Sequence, residues 1–322
     1  MMVHFFSFNP FIFTKSGGHA IQRFLPMLLI IVVVMPLWFK TAFCADKPRV
    51  KTHIKVALIE SAFLGSNEND AAAAFKTFAR TVGKQKGYDM EITISTFKDA
   101  DELVSLPENM RPHIAILESW EFLKIEKEGW LTPVAATSID RDRVCSTFEI
   151  LVLPDSPAKT IEDLRGKTIN ILFMPQTQIG FPWLRSLLRE HNLATMESFF
   201  KDIKVETDPM KAILPVFFGQ RDAGLITGEK FKLMAELNPQ LNKMRPIAVS
   251  EPLMCGITGI NQTGWDSPKI KQDFIDGILE LHLSPTGQQI LHLFKTDQIV
   301  TYRPEEMETV RALAKILSGT DH

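Results

Sequence analysis

The sequence lacks the short motifs that mark common enzyme sites. It contains no GxSxG, GxxxxGK[ST], HExxH or GxGxxG pattern, so hydrolase, nucleotide-hydrolysing, zinc-protease and dinucleotide-binding sites of these types are not indicated. Glu60 and Glu118 are able in principle to form an acid–base pair, but no other pattern supports catalysis. Cys145 lies in an apolar, strand-like run without a motif partner. We therefore expect a protein that is not an enzyme.

Cysteine is also scarce, with three residues in the chain of 322. Cys44 lies at the end of a distinct N-terminal segment, which leaves Cys145 and Cys255. In an oxidising compartment these two are able to form a disulfide, and the alternative is a pair of buried thiols. There is no CxxC motif, no Cys/His cluster and no His pair at ligand spacing, so the sequence predicts no metal site and no cofactor.

Basic residues are neither in excess nor clustered. The chain has 36 Lys and Arg against 38 Asp and Glu, a net charge of −2. No basic stripe follows any predicted helix. A nucleic-acid partner is therefore not expected, because such a partner needs a concentrated positive surface.

The first 45 residues differ from the rest of the chain. They carry Lys15, Arg23 and Lys40 but no acidic residue, and Phe24–Phe39 is an uncharged apolar run of sixteen residues. A membrane span needs about 20 apolar residues, so this length favours a signal peptide and an exported, periplasmic protein. The small-residue zone at 41–45 is interrupted by the bulky Phe43. An uncleaved anchor therefore stays open, whereas Phe43 disfavours a lipid on Cys44.

After residue 52 the chain alternates between apolar strand-like runs and amphipathic helices. This alternation predicts an α/β fold with mainly parallel sheets. It restarts near residue 150, which predicts two lobes. The predicted strands are 54–59, 90–97, 113–117, 145–153, 167–173, 203–206, 223–227, 245–249 and 255–260, and the predicted helices are 71–82, 99–106, 120–128, 180–191, 210–218, 229–237, 267–283, 285–295 and 304–317.

Two stretches carry a family resemblance. The first is TIEDLRGKT at 160–168, followed by a strand, a polar turn at 175–180 and a helix. The second is AILPVFFGQRDAGLITGEKFKLMAELNPQL at 212–241. Together they resemble the type 2 periplasmic binding proteins, in the phosphate- and phosphonate-binding-like (PhnD/SsuA/transferrin-type) substrate-binding family. The likeness extends over roughly 52–318.

The resemblance implies an overall organisation. Residues 46–148 would begin lobe 1, 149–250 would form lobe 2, and 251–322 would return to lobe 1 with C-terminal helices. Each lobe would hold a mainly parallel sheet flanked by helices, and a two-segment hinge would join the lobes.

The resemblance also implies a role. The chain would be a monomeric solute-binding protein that captures a small polar ligand for the membrane permease of an ABC transporter. A periplasmic ligand-sensing module, which presents its ligand to a membrane sensor protein, is the first alternative, and an enzyme on the same fold is the less favoured second one.

Ligands of open α/β sheets bind beyond the carboxyl ends of the strands, near helix N-termini. Four turns meet this condition, and together they would line a cleft between the lobes. The candidate ligand-binding residues in them are Glu60, Ser61, Glu118, Ser119, Trp120, Gln176, Thr177, Gln178, Thr227 and Glu229.

The charges of these turns suggest the kind of ligand. The three carboxylates favour an amine or cation, whereas the helix start at 177–180 would suit an anion. By resemblance, Glu229 would contact the ligand's amine. Gln176-Thr177-Gln178 has a single hydroxyl where the phosphonate binders are rich in Ser and Thr, and Leu117-Glu118-Ser119-Trp120 replaces their aromatic-Gly turn. A phosphonate-like ligand and a different polar ligand therefore both stay open.

Each candidate has a simpler structural explanation as well. A Glu in the first turn of a helix is often only a partner of the helix dipole. Thr177 is able to act as a helix cap, and Trp120 is able to pack into the core of lobe 1 instead of stacking on a ligand.

Overall fold

The computed structural model describes residues 49–60, 68–141 and 143–319. The predicted signal peptide and the candidate Ser61 lie outside the described residues. The strands are β1 (Val50–Ile59), β2 (Tyr88–Phe97), β3 (Ile114–Glu118), β4 (Leu131–Thr137), β5 (Cys145–Ser146), β6 (Phe148–Val152), β7 (Thr168–Leu172), β8 (Asp202–Glu206), β9 (Ala223–Thr227), β10 (Arg245–Val249), β11 (Leu253–Met254), β12 (Gly256–Asn261) and β13 (Ile299–Thr301). The helices are α1 (Glu68–Lys86), α2 (Ala100–Val104), α3 (Ser119–Glu126), α4 (Gly180–Glu190), α5 (Met196–Phe199), α6 (Pro209–Phe217), α7 (Gly228–Leu237), α8 (Pro268–Leu279), α9 (Pro285–Leu293) and α10 (Glu308–Ser318).

The predicted two-lobed α/β architecture is confirmed. Sheet 1 has the order β13-β4-β12-β3-β1-β2, and sheet 2 has the order β10-β6-β9-β7-β8. Helices flank both sheets. Glycines with positive φ follow α1 and α3, at Gly87 and Gly129, because a left-handed residue is needed where a helix ends in a tight turn.

Both sheets are mixed, so the expectation of mainly parallel sheets is wrong in this detail. β1 runs parallel to β2 and β3, but β12 runs antiparallel to β3 and β4. In sheet 2, β7 is parallel to β8 and β9, but β6 is antiparallel to β9 and β10. The reason is the path of the chain. β6 and β12 are the first strands after each crossing, so they start at the hinge and run away from it.

The two crossings meet in a short antiparallel ribbon. β5 pairs with β11, with Met254 opposite Cys145. The backbone N–H of Cys255 then donates to Val144 O at 3.3 Å, so Cys255 faces Val144 across the ribbon. Side chains of successive strand residues point to opposite faces. The thiols of Cys145 and Cys255 therefore lie on opposite faces, and both cysteines are free. The disulfide that the sequence left open is not formed.

Sheet 1 is stabilised by the alternation of apolar residues along β1. Ile54, Val56 and Leu58 lie in one buried cluster with α1, α8 and α9, and Ala57 and Ile59 lie in a second cluster on the other face. Full burial of an Ile, Val or Leu side chain contributes about 1.5–3 kcal/mol to the stability of the fold. Burial on both faces fixes the register of β1 and thus the position of its carboxyl end.

Helix α10 bridges the two lobes. The Arg311 guanidinium pairs with Glu126 of α3 in lobe 1, and Arg189 of α4 in lobe 2 donates to Leu317 O at 2.7 Å. The Thr309 hydroxyl donates to Pro252 O, beside β11, at 2.7 Å. The last helix is thus tied to both lobes and to the segment that enters the ribbon.

Candidate functional site

A cavity of about 310 Å³ opens between the lobes, at the carboxyl ends of β1, β2 and β7. This is the position at which ligands of open α/β sheets bind. Lobe 1 contributes Ile59, Glu60, Lys98, Asp99 and Glu121 to its walls, and lobe 2 contributes Phe173 and Gln178.

Carboxylates outnumber ammonium groups in this cavity. Asp99 accepts the Glu102 N–H at 3.0 Å as the cap of α2. Glu121 accepts the Ala100 N–H at 2.8 Å and lies 3.5 Å from the Lys124 ammonium. Glu60 is exposed at the end of β1. The cavity therefore carries an acidic surface that favours a solute with a positive group.

Glu118 is the most perturbed acid of the candidate site. It ends β3, directly precedes α3 and is only 5% exposed. Its Oε1 accepts the backbone N–H of Gln176, from lobe 2, at 3.1 Å. Its Oε2 is buried without a hydrogen-bond partner among the described residues. Burial raises the pKa of Glu118 to about 8, the neighbouring charge of Glu121 acts in the same direction, and the Gln176 N–H opposes the rise.

A second, smaller cavity of about 40 Å³ lies beside Glu118. Its lining is mainly apolar and comes from α1, sheet 1, α9 and, in lobe 2, Pro175 and Gln176. The residues are Phe75, Ile116, Glu118, Thr137, Pro175, Gln176, Gly256, Leu281, Ile290, Leu291, Phe294, Thr296 and Ile299. In the following text it is called the Glu118 cavity.

The turn before α4 uses several of its donors internally. The N–H groups of Thr177 and Gly180 donate to Met174 O and Thr177 O, at 3.0 and 3.1 Å. The Thr177 hydroxyl accepts the Met174 N–H at 2.9 Å and reaches Leu172 O at 3.1 Å. Gln176 has a left-handed backbone with φ of 71°, and its side-chain amide donates to Lys295 O at 3.0 Å. The sequence predicted an anion-binding site at 177–180. The N–H groups of Thr177 and Gly180 and the Thr177 hydroxyl are bonded within the turn, so they are not available to an anion.

The fourth predicted turn lies against the hinge. Glu229 accepts the Ser146 hydroxyl at 2.9 Å, and its carboxylate lies 3.3 Å from the Arg143 guanidinium. Thr227 is buried at the end of β9, where it pairs with Phe148. Neither Thr227 nor Glu229 lines the two cavities.

Two further candidates, Ser119 and Trp120, contact other parts of the protein and do not line either cavity. The Ser119 hydroxyl is buried and donates to Met254 O of β11 at 2.6 Å. Trp120 is half-buried and lines a groove between α3 and α10. The structure therefore brings together Glu60 and Gln178 in one cavity and Glu118 and Gln176 in the other.

The sequence of residues 63–307 decides the family. The model of the periplasmic substrate-binding proteins of phosphonate ABC transporters matches residues 63–307. This chain belongs to that family. Its members are periplasmic transport components, so a solute-binding role follows from membership. No curated protein sequence matches the chain.

Solved structures share the fold of this family member at low sequence identity. XAC2383 from Xanthomonas citri, bound to ATP, has a TM-score of 0.60 and 15% identity, covering 84% of this chain and 98% of its own. A binding protein component of an ABC phosphonate transporter from Pseudomonas aeruginosa has a TM-score of 0.55 and 13% identity, over 84% and 87%. PhnD1 from Prochlorococcus marinus, in complex with methylphosphonate, has a TM-score of 0.55 and 12% identity, over 83% and 98%.

Sequence reasoning missed part of this family member's cleft. Lys98, Asp99 and Glu121 line the larger cavity but were not among the candidates. Lys98 and Asp99 follow β2, and the rule that selected the ends of β1 and β3 would have found them at this third strand end.

Metal and membrane features are not observed in the described residues. Within 49–60, 68–141 and 143–319, no three His, Cys, Asp or Glu side chains are grouped so that they could hold a metal ion. No helix in this part of the chain combines the length and the apolar composition that a membrane crossing requires.

Proposed function

We propose that the solute captured by this family member is small, polar and amine-bearing, and that it binds in the cavity at Glu60. The observation that carries the proposal is the excess of carboxylates in a 310 Å³ cavity formed by both lobes. A cavity of this size suits a small molecule. The acidic groups favour a positive solute group, and Gln178 supplies a neutral polar contact from the opposite lobe.

The ligands bound to two structural relatives differ from the solute class proposed here. One relative is bound to ATP and another to methylphosphonate, and both ligands carry phosphorus oxyanions. In this chain the turn before α4 has few free donors, so a simple oxyanion has little to replace its hydration. A phosphonate that also carries an amine remains compatible with the acidic cavity.

Capture would couple to transport through the ribbon of β5 and β11. Closure of the lobes over the solute would present a combined surface to the membrane permease of the importer, by a hinge movement at the ribbon. We propose lobe boundaries near 148/149 and 250/251, and a monomeric, exported protein. The family match describes transport, so it does not favour the sensing alternative.

A thermal-shift screen tests the proposed solute class. Aliphatic amines, amino acids and aminoalkylphosphonates are compared with methylphosphonate, phosphate and sulfate. A solute at 100 times its dissociation constant is expected to add about 2.7 kcal/mol to the free energy of unfolding. We expect the amine-bearing compounds to give the shifts.

Variants locate the site within the same screen. Glu60→Gln and Gln178→Ala are expected to lower the affinity about tenfold or more, because each removes a polar contact between the cavity wall and the solute. Glu128→Gln, an exposed acid just after α3, is the matched control and is expected to bind as the wild type does. Tight binding of sulfate or phosphate, with no response to any amine, would reject the proposed solute class.

A further inference from the structure

The unpaired oxygen of Glu118 requires an explanation. Buried polar atoms nearly always have a hydrogen-bond partner, and an exception often marks a missing ligand, ion or water. Glu118 is 5% exposed, and its Oε2 has no partner among the described residues. Its other oxygen already accepts the Gln176 N–H across the lobe boundary. The side chain is therefore held in place with one acceptor unused.

Among the described residues, no positive side chain forms an ion pair with this carboxyl group, and the nearby Lys230 ammonium acts on Cys255 and Glu229 instead. The charge that acts on Glu118 comes from Glu121, in the first turn of the adjoining α3. Across the cleft and at the hinge, the neighbours are the Gln176 amide and the buried thiol of Cys255. Both are uncharged in their ordinary state. In its carboxylate form Glu118 therefore lacks a hydrogen-bond donor at Oε2, and a cationic donor stabilises a buried carboxylate most strongly.

The Glu118 cavity has room for such a group. Its volume of about 40 Å³ exceeds the roughly 10–15 Å³ that one water needs. Phe75, Ile290 and Phe294 give it an apolar wall, which suits the short alkyl chain next to an ammonium. An oxyanion does not fit, since the adjacent N–H of Gln176 is already bonded to Glu118 itself.

We infer that Glu118 Oε2 binds the ammonium group of the captured solute, with the neighbouring methylene groups in the apolar Glu118 cavity. The inference rests on the proposed function, because it assigns a position to one part of the same solute. It adds that the ammonium group lies at Glu118, beneath Pro175 and Gln176 of lobe 2, while the rest of the polar solute lies in the larger cavity with Glu60 and Gln178.

Binding at this position displaces a proton. Burial raises the pKa of the empty Glu118 to about 8, so near pH 7 most of the protein carries Glu118 as the neutral acid. The ammonium favours the carboxylate and lowers that pKa. The neutral acid and the ammonium thus give the ion pair and one free proton. We expect the release of close to one proton per solute bound near pH 7.

Isothermal titration calorimetry measures both the affinity for the amine and the number of protons released on binding. Methylammonium, ethylammonium and 2-aminoethanol are titrated at pH 7 in two buffers with different ionisation enthalpies, and the difference in the binding enthalpy gives the number of protons released. Wild type is expected to release nearly one. Glu118→Gln keeps an oxygen acceptor for the Gln176 N–H and is expected to bind at least about tenfold more weakly, without proton release. Glu128→Gln should behave as wild type in both respects.

Other outcomes separate this inference from the proposed function. Amine binding that is lost in Glu60→Gln but unchanged in Glu118→Gln would place the ammonium in the larger cavity, and the inference would fail while the proposed function stands. Binding of methylphosphonate or phosphate in place of any amine would remove both the inference and the amine-bearing class. Amine binding with the same enthalpy in the two buffers would show that no proton is released, and this result would also overturn the inference.

Discussion

In the absence of solute, the wild-type protein loses stability relative to Glu118→Gln as the pH rises from about 5 to about 9. Burial raises the pKa of Glu118 from its ordinary value to about 8 in the folded protein. Between the two values the folded state binds more protons than the unfolded state, so unfolding releases a proton and the free energy of unfolding falls with rising pH. The loss begins near the ordinary pKa and is complete above about pH 8.

The size of this effect makes it measurable. A change of one unit in pKa corresponds to about 1.4 kcal/mol, so the rise of the Glu118 pKa from 4.5 to about 8 corresponds to at most about 5 kcal/mol. Relaxation of the lobes would reduce it. Glutamine has the same shape as glutamate but no charge to desolvate. The free energy of unfolding of Glu118→Gln therefore lacks this dependence on pH.

Urea unfolding at several pH values gives the comparison. Other groups titrate equally in both proteins and cancel in the difference, and Glu128→Gln controls for the loss of one acid. Parallel curves for wild type and Glu118→Gln across the whole pH range would show that Glu118 is not buried as described. A bound amine should abolish the difference, because it stabilises the carboxylate.

Gly287→Ala is expected to be strongly destabilising, although alanine is the better helix former by about 1 kcal/mol. A Cβ on Gly287 would lie 1.9 Å from the backbone oxygen of Leu281. That oxygen belongs to the short turn before α9, where the Ser284 hydroxyl accepts the Gly287 N–H at 3.0 Å. A backbone atom is unable to move aside as a flexible side chain does. We expect a loss of about 2–3 kcal/mol or more in the free energy of unfolding.

A second helical glycine provides the control. At Gly277 of α8, the contact that an added Cβ would make within the described part of the chain is with Val82 Cγ1, a side-chain atom, at 3.2 Å, and we expect Gly277→Ala to change the stability by less than about 1 kcal/mol. Thermal or urea unfolding of the two variants tests the contrast. Equal stability of Gly287→Ala and wild type would contradict it. Since α9 supplies Ile290 and Leu291 to the Glu118 cavity and Phe294 directly follows the helix, amine binding should weaken in the first variant and not in the second.

The strength of the sequence prediction lay in local pattern. The apolar runs and the residues that end them placed β9 and β10 at the bounds that the structure shows, Ala223–Thr227 and Arg245–Val249. β4 was missed because Pro133 is untypical of a central strand. In the structure Pro133 faces an irregularity in the pairing with β12, between Thr258 and Gly259. Strand direction was not predictable, since an apolar run reads alike in parallel and antiparallel sheets.

The candidate site was predictable only as a set of strand ends. The rule selected Glu60, Glu118 and Gln178, which lie in the two cavities. It also selected Glu229, which lies against Arg143 and Ser146. The sequence does not distinguish a strand end that faces the cleft from one that faces the hinge, because that difference depends on how the two lobes meet.

The middle of sheet 1 is completed late in the sequence. β4 ends at Thr137, yet its neighbour β12 begins only at Gly256 and lies between β3 and β4. All strands of sheet 2 lie between Phe148 and Val249. During synthesis from the N-terminus, lobe 2 thus has its whole sheet available while β3 and β4 still have unpaired edges, which are prone to aggregation. A chain that ends before Gly256 therefore lacks the strand at the centre of the first sheet, although all strands of sheet 2 are present.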